Sequence, residues 1–350
     1  MSNEKSRAFG PDLVRAAAVV LVLSVHFFLH SGFYDLPLQG LDMGLNSMIR
    51  MAFMTCVPLF LMLTGYLCID RPWSKGYYRK LLRVLLCYFF AGVCCAAFRI
   101  LWLGDTFVSW KSILPPYGWY IEMYIGLFLL IPFLNAMWHG SGGPGRTALL
   151  LTMLALTSLP STVNSFGKLL PSWWGDIYPL TYYFLGAWLR ERPVKCRSRW
   201  LLLGWLGLAA TAAAIVCSMA GGGVFSWSGL NDWPSLFVVG ESICAFSIFI
   251  RCDGKGWPVW VRRSVSWLAR VSLELYLLSY IGDSILYPYL TSAGLAPGRR
   301  LLWLPAIVTV NVLFSGVLAQ LAHQAIEALM QLLPVKARDA GAVQCRDTKS

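Results

Sequence analysis

The residues whose chemistry stands out lie in PDLVRAAAVVLVLSVHFFLH, residues 11–30, an apolar run that carries Arg15 and His26. They are 11 positions apart, which on an α-helix is three turns plus about 20°, so both project from one face, about 16 Å apart along the axis. Arginine binds anionic groups, and an imidazole accepts a proton near neutral pH. The spacing therefore predicts anion binding at one end of this face and proton transfer at the other.

Both residues also have a purely structural interpretation. In a membrane span, Arg15 can extend to the interface, and it can pair with Asp12 one helical turn earlier. His26 can satisfy a neighbouring backbone carbonyl group. The sequence leaves these alternatives open.

A second group of cations lies in GYYRKLLRVLL, residues 76–86. Arg79 and Arg83 share a helix face at a spacing of four, and Lys80 and Arg83 at a spacing of three. An anchor on the positively charged side of a membrane explains Arg79, but Arg83 lies a full turn further into the apolar segment. The cluster favours a phosphate-rich ligand.

Two acids lie in apolar segments, Glu122 within 115–135 and Glu274 within SLELYLLSY, 272–280. Glu122 is either an interfacial residue or the acid that orients an imidazole, and Glu274 either pairs with a cation or has a functional role. His30 follows His26 by four positions, a spacing that suits two metal ligands, but no third ligand is near. We therefore predict no metal site.

The composition indicates the class of protein that must position these residues. Of 350 residues, 57% are hydrophobic and 13% charged, and the mean hydropathy is +0.60. Soluble domains carry about 25% charged residues, so we predict an all-α, polytopic membrane protein. Residues 1–334 form one integral-membrane domain, and residues 335–350 form a short polar tail that is expected to be disordered.

Ten segments have about the 20 residues needed to cross a bilayer. The predicted spans are 11–30, 45–69, 79–103, 117–138, 146–162, 173–190, 199–220, 232–250, 264–290 and 301–332. Prolines interrupt the fifth and sixth.

The basic residues predict the orientation. They concentrate in 71–80, 190–199 and 251–263, which lie on one side of a ten-span protein, whereas Arg299 and Arg300 fall on the other side. Basic loops face the cytoplasm, so both termini are expected there. The net charge of +12 then reflects these loops and their contact with anionic membrane lipids, and we predict no nucleic-acid partner.

Five segments carry a resemblance to a known family. They are DLVRAAAVVLVLSVHF with Arg15 and His26, VPLFLMLTGYL (57–67), GWYIEMYIGLFLLIPFL (118–134), TYYFLGAWL (181–189) and SLELYLLSY (272–280). In that order they resemble the helices of acyltransferase family 3, integral-membrane O-acyltransferases that acetylate surface polysaccharides and related glycans. The resemblance covers about residues 10–330.

Two positions depart from the family pattern. The third helix of the family begins with an R-x-x-R-type motif, for which this chain has Lys80 and Arg83, or Arg79 one step earlier. Ser279 stands where a histidine is common, which puts more weight on His26.

The resemblance implies a mechanism. The acyl donor is expected to be acyl-coenzyme A (acyl-CoA), taken to be acetyl-CoA, which enters from the cytoplasm with its phosphates on Arg79, Lys80 and Arg83. Its pantetheine arm would follow the face from Arg15 to His26. His26 would act as general base or acyl carrier, oriented by Glu122.

The resemblance also implies a location and an acceptor. The protein is expected in the bacterial cytoplasmic (inner) membrane, crossing it several times. The acceptor would be a hydroxyl of a cell-envelope glycan or a lipid-linked sugar, reached directly or through a separate extracytoplasmic transferase.

Two other functions remain possible from the residues. A transporter or flippase for a lipid-linked sugar also has buried charges, although such proteins often show inverted repeats and none is evident here. In a non-catalytic assembly subunit the ionisable groups would only pair helices, and His26 and Arg15 would tolerate substitution.

Overall fold

The structure is a computed structural model that describes residues 8–74, 76–106, 113–294 and 297–332. The predicted polar tail lies outside the described residues. Within these ranges the regular structure is helical, apart from an isolated bridge between Pro37 and Val224. The α-helices are α1 (Phe9–His30), α2 (Gly40–Phe53), α3 (Cys56–Cys68), α4 (Leu81–Leu101), α5 (Trp119–Gly140), α6 (Gly142–Val163), α7 (Tyr178–Glu191), α8 (Ser198–Ala220), α9 (Leu236–Ile250), α10 (Val259–Ser292) and α11 (Leu304–Leu332).

The all-helical membrane fold predicted from the composition is confirmed, but the count of ten spans is not. Eight stretches of the described chain are long and apolar enough to cross a membrane. They are Phe9–His30, Gly40–Cys68, Tyr78–Leu101, Trp119–Gly140, Gly142–Phe166, Ser198–Ala220, Gly229–Ile250 and Arg299–Leu332. The side on which the termini lie stays a prediction.

The two remaining predicted spans differ from the eight for different reasons. The segment predicted at 173–190 forms only α7, whose 14 residues extend about 21 Å, because Pro179 starts the helix in its first turn. The segment predicted at 264–290 lies within α10, which has 34 residues but contains Glu274 and Asp283. Polar residues inside a span usually face other protein groups, and both of these carboxylates are buried.

Helices α3 and α7 pack closely against each other because glycines lie at their contact. A Cβ atom on Gly65 would overlap the carbonyl group of Tyr183, and a Cβ on Gly186 would overlap that of Met62. Small residues allow such close approach of helices in membranes. The glycines of the LTGYL and FLGAW segments therefore have a structural role.

Helix α1 is the central helix of the bundle. It packs against α3, α9, α10 and α11, and Val14, Ala18 and Leu23 on it are fully or almost fully buried. Packing on several sides fixes the rotation of α1 about its axis. The directions in which Arg15 and His26 project are fixed with it.

Candidate active site

A cavity of about 930 Å³ runs along α1 between helices α3, α4, α5, α10 and α11. Both Arg15 and His26 line it, as their helical spacing predicts. Ligand sites typically measure about 300–1,000 Å³, so this cavity lies near the upper end of that range. It is large enough for an extended ligand.

One end of the cavity, here called the basic end, is lined by cations from four parts of the chain. They are Arg15, Arg71, Lys80, Arg83 and Arg270. Spacing along the chain does not point to Arg71 or Arg270, because the segments that bring them to this end are far apart in sequence. Cations converging on a concave surface attract anionic ligands.

The three cations of 76–86 do not have the same position. Lys80 lines the cavity at the basic end, whereas Arg79 does not line it and its side chain is exposed. Both residues lie in the 3₁₀ helix Tyr78–Lys80 that precedes α4, where consecutive side chains point in directions about 120° apart. Of these two residues, Lys80 is therefore the one that can contact a ligand inside the cavity.

Arg83 lines the cavity but is also held by acids on two other helices. Its Nε donates to Glu327 Oε1 at 2.8 Å, and one Nη donates to Glu274 Oε1 at 3.0 Å. His323 Nδ1 lies 2.9 Å from the same Nη and 3.0 Å from Glu274 Oε1. Glu274 is thus paired with a cation, and the cluster ties α4, α10 and α11 together.

At the middle of the cavity His26 is paired with a carboxylate that the sequence analysis did not single out. The His26 Nδ1 atom lies 3.1 Å from Asp283 Oδ2 on α10, and the side chain of Asp283 is 1% exposed. In the described part of the chain, His26 Nε2 has no hydrogen-bond partner. A carboxylate on Nδ1 holds an imidazole in the tautomer whose Nε2 accepts a proton.

Further hydrogen bonds fix Asp283 itself. The Tyr117 hydroxyl donates to Asp283 Oδ2 at 2.8 Å, and Asn311 Nδ2 donates to Asp283 Oδ1 at 2.5 Å. Asn311 Oδ1 in turn accepts from the Ser315 hydroxyl at 2.7 Å. The carboxylate is therefore held by α1, α11 and the segment before α5.

Glu122, the acid predicted to orient His26, lies elsewhere in the bundle. It is an exposed residue on α5 that accepts a hydrogen bond from the Tyr88 hydroxyl at 2.6 Å. The acid on His26 is Asp283. A signal for Asp283 was present in the sequence, because YIGDSILY places an acid inside an apolar segment, as costly there as Glu274.

His30 joins the same network instead of pairing with His26 at a metal. Its Nε2 lies 2.7 Å from the Tyr117 hydroxyl, and the His26 and His30 ring centroids are 6.4 Å apart. Among the residues described, no group of three or more His, Cys, Asp or Glu is arranged to hold a metal ion.

The other end of the cavity, here called the aromatic end, is lined by Trp119, Trp227, Trp233 and Tyr34. Trp119 stacks on Trp233 with centroids 4.7 Å apart, and Tyr34 stacks on Trp227 at 5.5 Å. Stacked rings present flat apolar faces to a ligand.

A buried arginine supports the aromatic end. Arg50 is fully buried, lies 4.2 Å from the centroid of Trp227 and donates to the Asn231 carbonyl oxygen at 2.7 Å. Its Nε also donates to the Tyr34 hydroxyl at 3.2 Å. These contacts fix the loop before α9 against α2.

A helical membrane protein with a paired histidine in a long cavity has the arrangement that a membrane-embedded enzyme needs. A family model described as "Acyltransferase domain" matches residues 9–320. The chain belongs to this family, acyltransferase family 3, as the sequence motifs predict, and membership supports membrane acyl transfer. No curated protein matches the chain, nor does any solved structure.

Proposed function

We propose that this protein transfers an acyl group, in the first place acetyl, from acyl-CoA to a hydroxyl group of a cell-envelope glycan or lipid-linked sugar. The observation that carries the proposal is the His26–Asp283 pair at 3.1 Å, in a cavity whose one end is cationic and whose other end is aromatic. The pair supplies a base, and the two ends suit an anionic donor and a sugar acceptor.

The donor binds with its phosphates at the basic end. Lys80, Arg15, Arg71 and Arg270 supply positive charge there, and arginine and lysine are the side chains that bind phosphate. Arg83 contributes less free charge than the sequence suggests, because Glu274 and Glu327 already pair with it. We infer that its main role is to hold the basic end together.

The pantetheine arm extends from the phosphates along α1 to His26. Arg15 and His26 line the same cavity and are separated by about 16 Å along the helix axis. An extended arm spans this distance and brings the thioester to the histidine. The phosphates stay outside the apolar part of the bundle, because a charge inside that part would be costly.

His26 acts as the base. Asp283 accepts a hydrogen bond from the Nδ1–H group, so Nε2 carries the lone pair. Nε2 takes the proton of the acceptor hydroxyl as its oxygen attacks the thioester carbon, and the imidazolium then returns the proton to the departing CoA thiolate. In the covalent variant Nε2 itself first takes the acyl group. Asp283 serves both routes, since it stabilises a positively charged imidazole.

The acceptor reaches His26 from the aromatic end. Sugar rings carry apolar faces that pack on tryptophan, and stacked Trp119 and Trp233 offer such a face beside the cavity. From the positive-inside pattern we infer that the basic end faces the cytoplasm of a bacterium and that the aromatic end faces outside. A separate extracytoplasmic transferase is then an alternative recipient of the acyl group.

The test is acyl transfer by purified protein in lipid nanodiscs, with His26→Ala compared with the wild type. General base catalysis contributes about 10²–10⁴-fold, so His26→Ala should stay folded and lose transfer by that factor. His139→Ala is the matched control, because His139 contacts the Ile69 carbonyl oxygen and Asp70 and does not line the cavity.

Undiminished transfer by His26→Ala would overturn the assignment. A transporter or flippase would show no acyl-CoA-dependent product at all. Mass spectrometry of surface glycans from cells with and without the gene then identifies the acceptor as the glycan that loses one acetyl mass.

A further inference from the structure

Two tyrosines on α10 have buried hydroxyl groups that bind no other protein group. Tyr276 and Tyr287 are 6% and 4% exposed, and neither hydroxyl has a hydrogen-bond partner within the described residues. A buried hydroxyl without a partner costs about 1–3 kcal/mol. Tyr276 lines the cavity and Tyr287 does not, so only Tyr276 can donate to a ligand there.

Tyr276 lies next to His26, and it is on the same side of α10 as Asp283, the carboxylate that pairs with His26. The ring centroids of Tyr276 and His26 are 6.5 Å apart. Tyr276 and Asp283 are seven positions apart, which is 20° short of two helical turns. One face of α10 therefore carries both the acid that orients His26 and Tyr276, whose Cα atoms are about 10 Å apart along the axis.

The first turn of α5 meets the same place. The ring centroids of Tyr276 and Tyr120, a residue of this turn, are 6.0 Å apart. Trp119, Tyr120 and Ile121 of this turn line the cavity. The opening N–H groups of a helix lack acceptors within that helix, and the helix dipole favours negative charge there. In this turn the Ile121 N–H already donates to the Gly118 carbonyl oxygen, so the donors meant here are those of Trp119 and Tyr120.

We propose that the Tyr276 hydroxyl is a catalytic donor that, with the first turn of α5, stabilises the oxyanion formed during acyl transfer at His26. This inference rests on the proposed function. As the acceptor oxygen bonds to the thioester carbon, the carbonyl π electrons move to its oxygen, which accepts a hydrogen bond from Tyr276. When the carbonyl re-forms, the C–S bond breaks and the thiolate takes the proton held by His26. Tyr276 keeps its own proton throughout.

The arrangement matches what an oxyanion site requires. The donor is buried, so its hydrogen bond is strong. Its ring packs against Tyr117 and Tyr120, and its hydroxyl has no competing partner in the described residues to give up. A donor of this kind contributes about 10²–10³-fold to kcat.

The first experiment compares Tyr276→Phe with its matched control Tyr287→Phe in the same transfer assay. Each variant removes one buried, unpartnered hydroxyl from α10, so neither loses a hydrogen bond to the protein, and both should melt at or above the wild-type temperature. Tyr276→Phe should lower kcat by about 10²–10³-fold with little change in the KM for acyl-CoA. Tyr287→Phe should retain wild-type kcat.

The second experiment detects the hydrogen bond without turnover. Acyl-CoA labelled with ¹³C at the thioester carbonyl is bound to His26→Ala and to His26→Ala/Tyr276→Phe, and its C=O stretch is recorded by infrared difference spectroscopy. A donor to the carbonyl oxygen lowers this frequency, so the band should lie lower in His26→Ala than in the double variant.

The outcomes separate this inference from the function on which it rests. If the wild type shows no acyl-CoA-dependent transfer, the proposed function fails and the inference fails with it. Suppose that the wild type and His26→Ala behave as proposed. If Tyr276→Phe then keeps full kcat, or if the C=O band has the same frequency in His26→Ala and in the double variant, only the role of Tyr276 is overturned. An equal loss in Tyr287→Phe would also overturn it, since the effect would then not depend on the cavity.

Discussion

Replacing Asp283 by asparagine tests whether this carboxylate orients His26. Asp283 accepts three hydrogen bonds, from His26 Nδ1 at 3.1 Å, Tyr117 at 2.8 Å and Asn311 at 2.5 Å. Asparagine has nearly the same shape, but one of its two polar atoms donates instead of accepting. The amide must therefore point its NH2 either toward His26 or toward Asn311.

The two orientations predict different losses. With the NH2 toward His26, Nδ1 must accept and the proton moves to Nε2, which can then no longer act as the base. In Ser-His-Asp hydrolases this change costs about 10⁴-fold in kcat. With the NH2 toward Asn311, the Asn311 amide has to rotate and donate to Ser315, and His26 keeps its tautomer but loses a charged partner. A neutral hydrogen bond contributes about 0.5–1.5 kcal/mol and one to a charged group about 1.5–3 kcal/mol, and a difference of about 1.4 kcal/mol corresponds to tenfold.

Asp283→Asn should therefore lower kcat by at least about tenfold and by up to about 10⁴-fold. The KM for acyl-CoA should be nearly unchanged, because the phosphates bind at the basic end. CoA release is best followed by chromatography, since thiol reagents would also modify the cysteines of the chain.

Glu122→Gln is the comparison, because Glu122 is exposed and binds Tyr88. It should retain activity within about twofold, since its hydrogen bond to Tyr88 can be kept by an amide oxygen. Full activity in Asp283→Asn, or a larger loss in Glu122→Gln, would refute the assignment of Asp283 and return the orienting role to Glu122.

Three further predictions concern packing and the donor. Gly65→Ala should destabilise the protein by at least about 1–3 kcal/mol, which lowers its melting temperature. Gly126→Ala is the control and should not lower it, because nothing lies within 4 Å of the added methyl group. Equal melting temperatures of the two variants would contradict the α3–α7 contact. Lys80→Ala should weaken acyl-CoA binding about tenfold by calorimetry, and Arg79→Ala should leave it unchanged; the reverse order would place the phosphates outside the cavity. Arg83→Ala should cost about 1–3 kcal/mol of stability, because buried Glu274 then keeps only His323 as its partner among the described residues, and unaltered denaturation would show that the Arg83–Glu274 pair is not important for the fold.

The sequence predicted the parts of the site that lie on one helix. Arg15 and His26 share a cavity because an α-helix repeats every 3.6 residues, and this relation holds in any bundle. The partner of His26 could not be found in this way. Asp283 is 257 positions further along the chain, so its proximity depends on how α10 packs against α1.

The same distinction explains Glu122 and Lys80. Glu122 has the right residue type and an accessible position, but the rotation of α5 points it toward Tyr88. Lys80 and Arg79 are equivalent in sequence, and only the direction in which α4 begins separates them. Helix rotation is set by tertiary packing, which periodicity does not report.

Helix α10 is the least apolar of the long helices, and its polar residues explain why it lies beside the site. Glu274 and Asp283 are nine positions apart, or two and a half turns, so they point in opposite directions. Glu274 binds Arg83 of α4, and Asp283 binds His26 of α1, while Tyr276 projects from the Asp283 face. These polar residues lower the hydropathy of α10 below that of the eight apolar stretches, and they are the same residues that connect the basic end to the histidine. A substitution that made α10 more apolar, such as Asp283→Leu, would therefore improve its match to a membrane span and remove the orienting acid at once.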